Sequence, residues 1–179
     1  MHTDALHHRL RTAVRDVPNF PRDGVLFRDV TPLLADGALF EAALDRLMTP
    51  WTFTSIDAVA GVESRGFVFG AAVAARAGVG MHLLRKPGKL PPPVASVPYV
   101  LEYGVDALQL RPDVVPAGSR VLLVDDVLAT GGTAAAAVRL LTEAGATVVG
   151  AAFFLELEAL GGRDALRAAG IPVTSVLTL

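Results

Sequence analysis

The sequence predicts an α/β fold, with a central, mostly parallel sheet flanked by helices. The first ground is the strand pattern. Stretches such as "IDAVA" (56–60) and "RVLLV" (120–124) are apolar at every position but Asp57 and Arg120 rather than alternating, as strands buried on both faces are. The second is what lies between them: helical stretches closed by glycine at Gly78 and Gly145. The third is size. A chain of 179 residues, 52% hydrophobic and with net charge −2, is long enough for one domain with a proper buried core.

The elements follow in order. Leu6, Leu10, Val14 and Val17 fall at helical spacing, with Pro18 as the stop. The stretch "PNFPRDGVLFRDVTPLL" (18–34) is expected to be irregular because of its prolines and glycine. Asp36 is placed to cap a helix running to about Met48. Then the alternation begins: strand "IDAVA", helix "GFVFGAAVAARAG", strand "GMHLLRK", strand "RVLLV", helix "GTAAAAVRLLTEAG", strand "ATVVGAAFF", short helix "RDALRAAG" and final strand "IPVTSVLTL". One segment breaks the rhythm. "KPGKLPPPVASVP" (86–98) is long, rich in proline and holds both lysines of the chain, Lys86 and Lys89, which favours a lid over a passive linker.

Composition excludes several classes. The chain has no cysteine, so it has neither a disulfide framework nor a thiolate metal site. No basic excess marks nucleic acid as a main partner. The N-terminus "MHTDALHHRL" lacks an apolar run, and no apolar stretch approaches the ~20 residues that span a bilayer. The expectation is a cytoplasmic protein acting on small molecules.

"VLLVDDVLATGGTAAAAV" (121–138) carries the chemistry. In parallel sheets ligands bind beyond the carboxyl ends of the strands, and Asp125 and Asp126 directly follow "RVLLV". The turn formed by Ala129, Thr130, Gly131, Gly132 and Thr133 can aim several N–H groups and two hydroxyls at one anion, helped by the helix that follows. Neighbouring carboxylates would repel a phosphate but accept hydrogen bonds from hydroxyls. A diol next to a phosphate satisfies both, as in ribose 5-phosphate. The P-loop and dinucleotide patterns both fail, because no lysine follows the turn and G-x-G-x-x-G is absent.

"VLLVDDVLATGGT" resembles the phosphoribosyl pyrophosphate signature of the type I phosphoribosyltransferases. "FPRDGVLFRDVTPLL", "GVESRGFVFGAAVA", "RKPGKLP", "LEYG" and "ELEALGG", in that order, make the chain similar to the adenine phosphoribosyltransferases within that group. The resemblance covers nearly everything from Val17 onward. It implies one domain over 1–179, with an N-terminal helix and base-covering arm forming a small hood over about 1–35 and a mobile catalytic loop over about 86–98.

The activity so implied is purine salvage: adenine and 5-phospho-α-D-ribose 1-diphosphate (PRPP) give AMP and pyrophosphate. Mg²⁺ would come with the pyrophosphate rather than on direct protein ligands, and the assembly would be a homodimer. By the same resemblance the 129–133 turn holds the 5-phosphate, and Asp125 and Asp126 hold the ribose hydroxyls. Glu63, Ser64 and Arg65 form the pyrophosphate loop, with Arg85, Lys86 and Lys89 as the basic positions beside it. Glu102 is the carboxylate for proton handling at the purine, next to Tyr103. Glu102, Arg65 and Lys86 are the catalytic candidates. Val25, Leu26, Phe27 and Arg28 cover adenine from one side, Phe27 by stacking, and Leu160 lies on the other.

Taken without the resemblance, Arg65 and Glu63 read as a surface salt bridge and Glu102 as an exposed strand residue. Two departures stand out: the 86–98 loop has more proline and less acid and threonine than the family pattern, and the chain ends soon after its last strand. Two other functions were weighed. A transferase for a different base is disfavoured by "VLFRD" and "LEYG". A regulator that senses PRPP on nucleic acid is disfavoured by the lack of a basic stripe.

Overall fold

Continuous apolar runs have one economical burial, between two layers, and the chain builds such a sheet. The computed structural model describes residues 2–101 and 104–179. It divides into two compact units, Met1–Arg46 and Leu47–Leu179.

The first unit begins with helix α1 (His2–Thr12). This helix is shorter than its spacing predicts, because Val14 and Val17 serve other structure. Strand β1 (Arg15–Pro18) pairs antiparallel with β2 (Leu26–Asp29), Val17 opposite Phe27. The expected irregular arm is therefore a hairpin. Its prolines fall at the strand end and in the connection, where no ladder donor is needed. Helix α2 (Thr31–Ala35) follows, then α3 (Gly37–Met48), and the Asp36 carboxylate accepts the Leu39 N–H at 3.0 Å as a cap.

The second unit carries β3 (Ala58–Val62), α4 (Gly66–Ala77), β4 (Gly80–Leu84), β5 (Ala95–Leu101), β6 (Gly104–Leu110), β7 (Arg120–Leu128), α5 (Gly132–Glu143), β8 (Thr147–Glu156), α6 (Gly162–Ala168) and β9 (Val173–Thr178). Five strands form one sheet in the order β4-β3-β7-β8-β9, every neighbouring pair parallel. The chain reverses its direction of travel across the sheet between β3 and β7. Helix α4 packs on β3 and β7, while α5 and the β5–β6 hairpin pack on each other.

The core gathers Leu84, Val97, Leu108, Leu110, Leu123, Leu140 and Phe153 around α5. Phe69 of α4 and Phe154 of β8 stack with ring centroids 5.5 Å apart and are fully buried. Burying each such side chain contributes roughly 1.5–3 kcal/mol.

Two expectations change here. The 86–98 loop is irregular only to Val94, since Ala95 begins a strand paired with Leu110. β7 also does not stop at Val124: Asp125 is in register with Phe153 and Leu128 with Glu156, so both acids lie within the strand. Among the described residues no helix is long and apolar enough to cross a membrane.

Candidate active site

Where neighbouring parallel strands send their connections to opposite sides, their carboxyl ends leave a crevice. β3 and β7 are that pair. "VESRG" leaves β3 and "DDVLATGGT" ends β7, so the sheet order brings together segments about 60 residues apart in sequence.

Asp126 is 5% exposed. Arg65 Nε lies 2.8 Å from its Oδ2, yet that oxygen receives no aligned hydrogen bond. Burial raises the Asp126 carboxyl above its ordinary value, although the Arg65 charge opposes the rise. Asp125 is raised further, first by burial and then by the Asp126 charge beside it. Its Oδ1 accepts the Asp126 N–H at 2.9 Å. Gly66 makes this packing possible, because a Cβ there would overlap Asp125 Oδ1. The pair is crowded, dry and short of donors.

After β7 the turn enters α5 through Gly131, whose φ of 85° is the left-handed conformation glycine adopts at little cost. The first turn of α5 then presents N–H groups that have no acceptor within the helix, the usual seat of an anion. Thr130 at the turn is exposed, and Thr133 is half-buried.

The ion pairs around "VESRG" are not the local one suggested by sequence. Arg65 reaches Asp126, and Glu63 takes Arg85 instead, with Arg85 Nε 3.1 Å from Oε2. The same oxygen accepts the Lys86 N–H at 3.1 Å. Burial pushes Glu63 up, but the bonds from Lys86 and Arg85 outweigh it and hold the carboxyl below its ordinary value. Arg85 also donates to the Lys89 carbonyl at 3.0 Å and sits 5.8 Å from the Phe67 ring centroid. A bed of cations thus borders the loop that contains Ser64.

Lys86 Nζ pairs with Asp106 of β6, and Tyr99 of β5 donates to the same carboxylate at 3.3 Å. Sequence reasoning missed both residues. Their signal was the alternation of "VDALQL" after "EYG", which marks the second strand of a hairpin. Glu102, the proton-handling candidate, and Tyr103 lie outside the described residues.

In the first unit, Phe27 is half-buried and meets Phe20 edge-on at 5.1 Å. Arg28 pairs with Asp16, Leu26 is exposed, and the Val25 carbonyl accepts the Phe20 N–H at 3.3 Å. In the second unit, Leu160 sits in a short turn after β8 and is exposed. A separate cavity of about 410 Å³ is lined by Trp51, Thr54, Ile56, Val73 and Leu122 near the amino ends of the strands, and none of its lining residues is charged.

Carboxylates beside a glycine turn at a helix start, joined across the switch point to a cationic loop, suit a sugar phosphate that carries a second anionic group. That is the substrate geometry of a phosphoribosyltransferase, and the phosphoribosyl transferase domain family matches residues 34–167. An adenine phosphoribosyltransferase from Bradyrhizobium diazoefficiens is 47% identical over 171 residues, 96% of each chain. The crystal structure of the Rhodothermus marinus adenine phosphoribosyltransferase superposes with TM-score 0.94 at 43% identity, covering 98% of this chain and 99% of that one. The Saccharomyces cerevisiae enzyme, complexed with an imino-altritol bisphosphate and adenine, gives 0.89 at 38%, covering 97% and 99%. The chain belongs to the adenine phosphoribosyltransferase family.

Proposed function

We propose that the crevice between β3 and β7 is where this enzyme converts adenine and PRPP to AMP and pyrophosphate. The observation that carries the assignment is the Arg65–Asp126 contact, which ties the cationic pyrophosphate side to the acid pair. The 129–133 turn would hold the 5-phosphate. Asp125 and Asp126 would accept the ribose hydroxyls, supplying the donors the pair lacks.

In the reaction the C1–oxygen bond to pyrophosphate breaks and the C1–N9 bond to adenine forms, while N9 gives up its proton. The transition state carries positive charge on the sugar, which the acid pair favours by proximity in a dry site. Arg65, Arg85, Lys86 and Lys89 would neutralise the leaving pyrophosphate, with Glu63 holding Arg85 and the Lys86 backbone in place. Ser64 would meet the pyrophosphate through its loop. Mg²⁺ would add charge neutralisation on the pyrophosphate oxygens, the hard ligands it prefers.

Glu102 would take the N9 proton. By the family resemblance Phe27 would stack on adenine, with Arg28 as support and the backbone at Val25 and Leu26 reading its edge, and Leu160 would be a further apolar contact to the base. A homodimer is what the family resemblance implies, and the cytoplasm is the proposed location. Sedimentation of the purified chain tests the first.

The deciding experiment is incubation with PRPP, Mg²⁺ and a panel of bases, followed by product analysis. Adenine should be the one efficient acceptor, because a wrong purine edge leaves buried polar groups unpaired. Comparable turnover of hypoxanthine or guanine would sink the assignment.

A further inference from the structure

The antiparallel register of β5 and β6 puts Tyr99 directly opposite Asp106. Both belong to the hairpin that packs on α5, whose second residue is Thr133. The Tyr99 side chain is buried, with its hydroxyl donating to Asp106 Oδ2 at 3.3 Å; burial raises its pKa, and the Thr133 side chain is near enough to pull against that rise. A carboxylate only accepts, so the single Tyr99 proton goes to Asp106. Lys86 Nζ closes the chain on the same Oδ2. A line of hydrogen bonds thus joins Lys86, Asp106 and Tyr99, on a hairpin packed against the helix that begins at the 5-phosphate turn.

We propose that Asp106 and Tyr99 are positioning residues for Lys86, fixing its ammonium relative to the pyrophosphate loop. This inference rests on the proposed contact between Lys86 and pyrophosphate.

The physical case starts from what a lysine lacks. Its charge sits on a flexible stem with many rotamers, and an exposed ion pair does little to order it. Here the acceptor is itself held. Asp106 is fixed by the buried Tyr99 and accepts the Ala107 N–H at 2.8 Å. The base of the stem is held too: the Lys86 N–H is on Glu63, and the neighbouring Arg85 makes two backbone bonds with Gln109 of β6, at 2.9 and 2.7 Å. Gln109 also accepts the Gly88 N–H at 3.3 Å. An ammonium has three donors, so one can stay on Asp106 while two meet phosphoryl oxygens, and the grip need not be released for chemistry. The Asp106 bond also raises Lys86 above the ordinary lysine value, against the pull of burial, so the group keeps its charge.

The test is a double-mutant cycle on the intact enzyme. Turnover, KM for PRPP, pyrophosphate product inhibition, ribose 5-phosphate affinity and melting temperature are measured for wild type, Lys86→Ala, Asp106→Asn, Tyr99→Phe and Lys86→Ala with Asp106→Asn. Asp106→Asn should lower kcat about tenfold and weaken pyrophosphate inhibition by a similar factor, the scale on which misplacing a catalytic group acts. Ribose 5-phosphate affinity and melting temperature should hold. Tyr99→Phe should cost about threefold, since it removes one brace and leaves the ion pair. In the Lys86→Ala background, Asp106→Asn should add nothing.

Losses that add fully in that background, or a fall in melting temperature that accounts for them, would overturn the positioning role. So would a silent Asp106→Asn beside a costly Lys86→Ala. If Lys86→Ala itself leaves turnover and pyrophosphate inhibition unchanged, the proposed pyrophosphate contact has failed and the positioning role falls with it. The lysine single variant therefore separates the two failures.

Discussion

Two buried acid sites stand on neighbouring strands, Asp126 on β7 and Glu156 on β8, and they are equally dry at 5% and 3% exposure. Their carboxyls nevertheless shift in opposite directions. Glu156 accepts Arg163 Nε at 2.8 and 3.1 Å and the Ser175 hydroxyl at 2.7 Å. The Arg163 bonds hold it below its ordinary value against burial. Asp126 has the Arg65 guanidinium close by but no aligned donor on Oδ2, and burial prevails over the lowering influence of Arg65 and raises it.

Burial alone therefore does not decide the state of a carboxylate; the supply of donors does. A fully supplied acid such as Glu156 belongs to the framework. An acid left short of donors, as Asp126 is, has acceptor capacity to offer a ligand, and on the proposed reading the ribose diol takes it up.

The comparison breaks most visibly if its framework half is cut. Arg163→Ala leaves Glu156 buried without its cation and should destabilise the fold by about 3 kcal/mol, as removing one partner of a buried pair does. Urea unfolding at neutral pH measures this. Because the Glu156 value is lowered in the fold, its contribution is present above the unfolded value of 4.5 and is lost as pH falls through the folded value. The variant should therefore lose that acid limb, while discrimination between sugars stays as in wild type.

Cutting the other half should do the reverse. Asp126→Ala is expected to weaken ribose 5-phosphate by roughly 1.5–3 kcal/mol, an order of magnitude or more, because a hydrogen bond to a charged acceptor is lost. Melting temperature without ligand should hold or rise. Calorimetric titration with ribose 5-phosphate and 2-deoxyribose 5-phosphate checks the diol: wild type should prefer ribose and the variant should lose the preference. A wild type that binds both sugars alike removes the diol from the argument.

The smallest and finest effect concerns pH. The Asp125 carboxyl is raised in the fold, so the native state holds a proton that the unfolded chain releases near 3.8. Its contribution to stability therefore falls as pH rises from the unfolded value through the folded one, and the penalty is complete above it. Asp125→Asn removes that slope, so its stability relative to wild type should grow with pH across this window. Parallel unfolding curves for the two proteins at every pH would show that Asp125 is not the strained member of the pair.

Much of this was legible in the chain. Uninterrupted apolar runs such as 121–124, with helices closed at Gly78 and Gly145, define a parallel sheet because period and turn chemistry act over a few residues. On the proposed reading, "DDVLATGGT" points to a diol and a phosphate for the same local reason. The arm hairpin at Val17 and Phe27 and the Tyr99–Asp106 pair were not legible as such, since antiparallel pairing joins residues whose own neighbours are prolines and loops. Nor were the partners of the charges. Sequence distance favours Arg65 with Glu63, but the order β4-β3-β7-β8-β9 brings the end of β7 to Arg65 and the end of β4 to Glu63. Short-range forces write the elements into the sequence; which charges meet depends on which strand ends the finished sheet sets side by side.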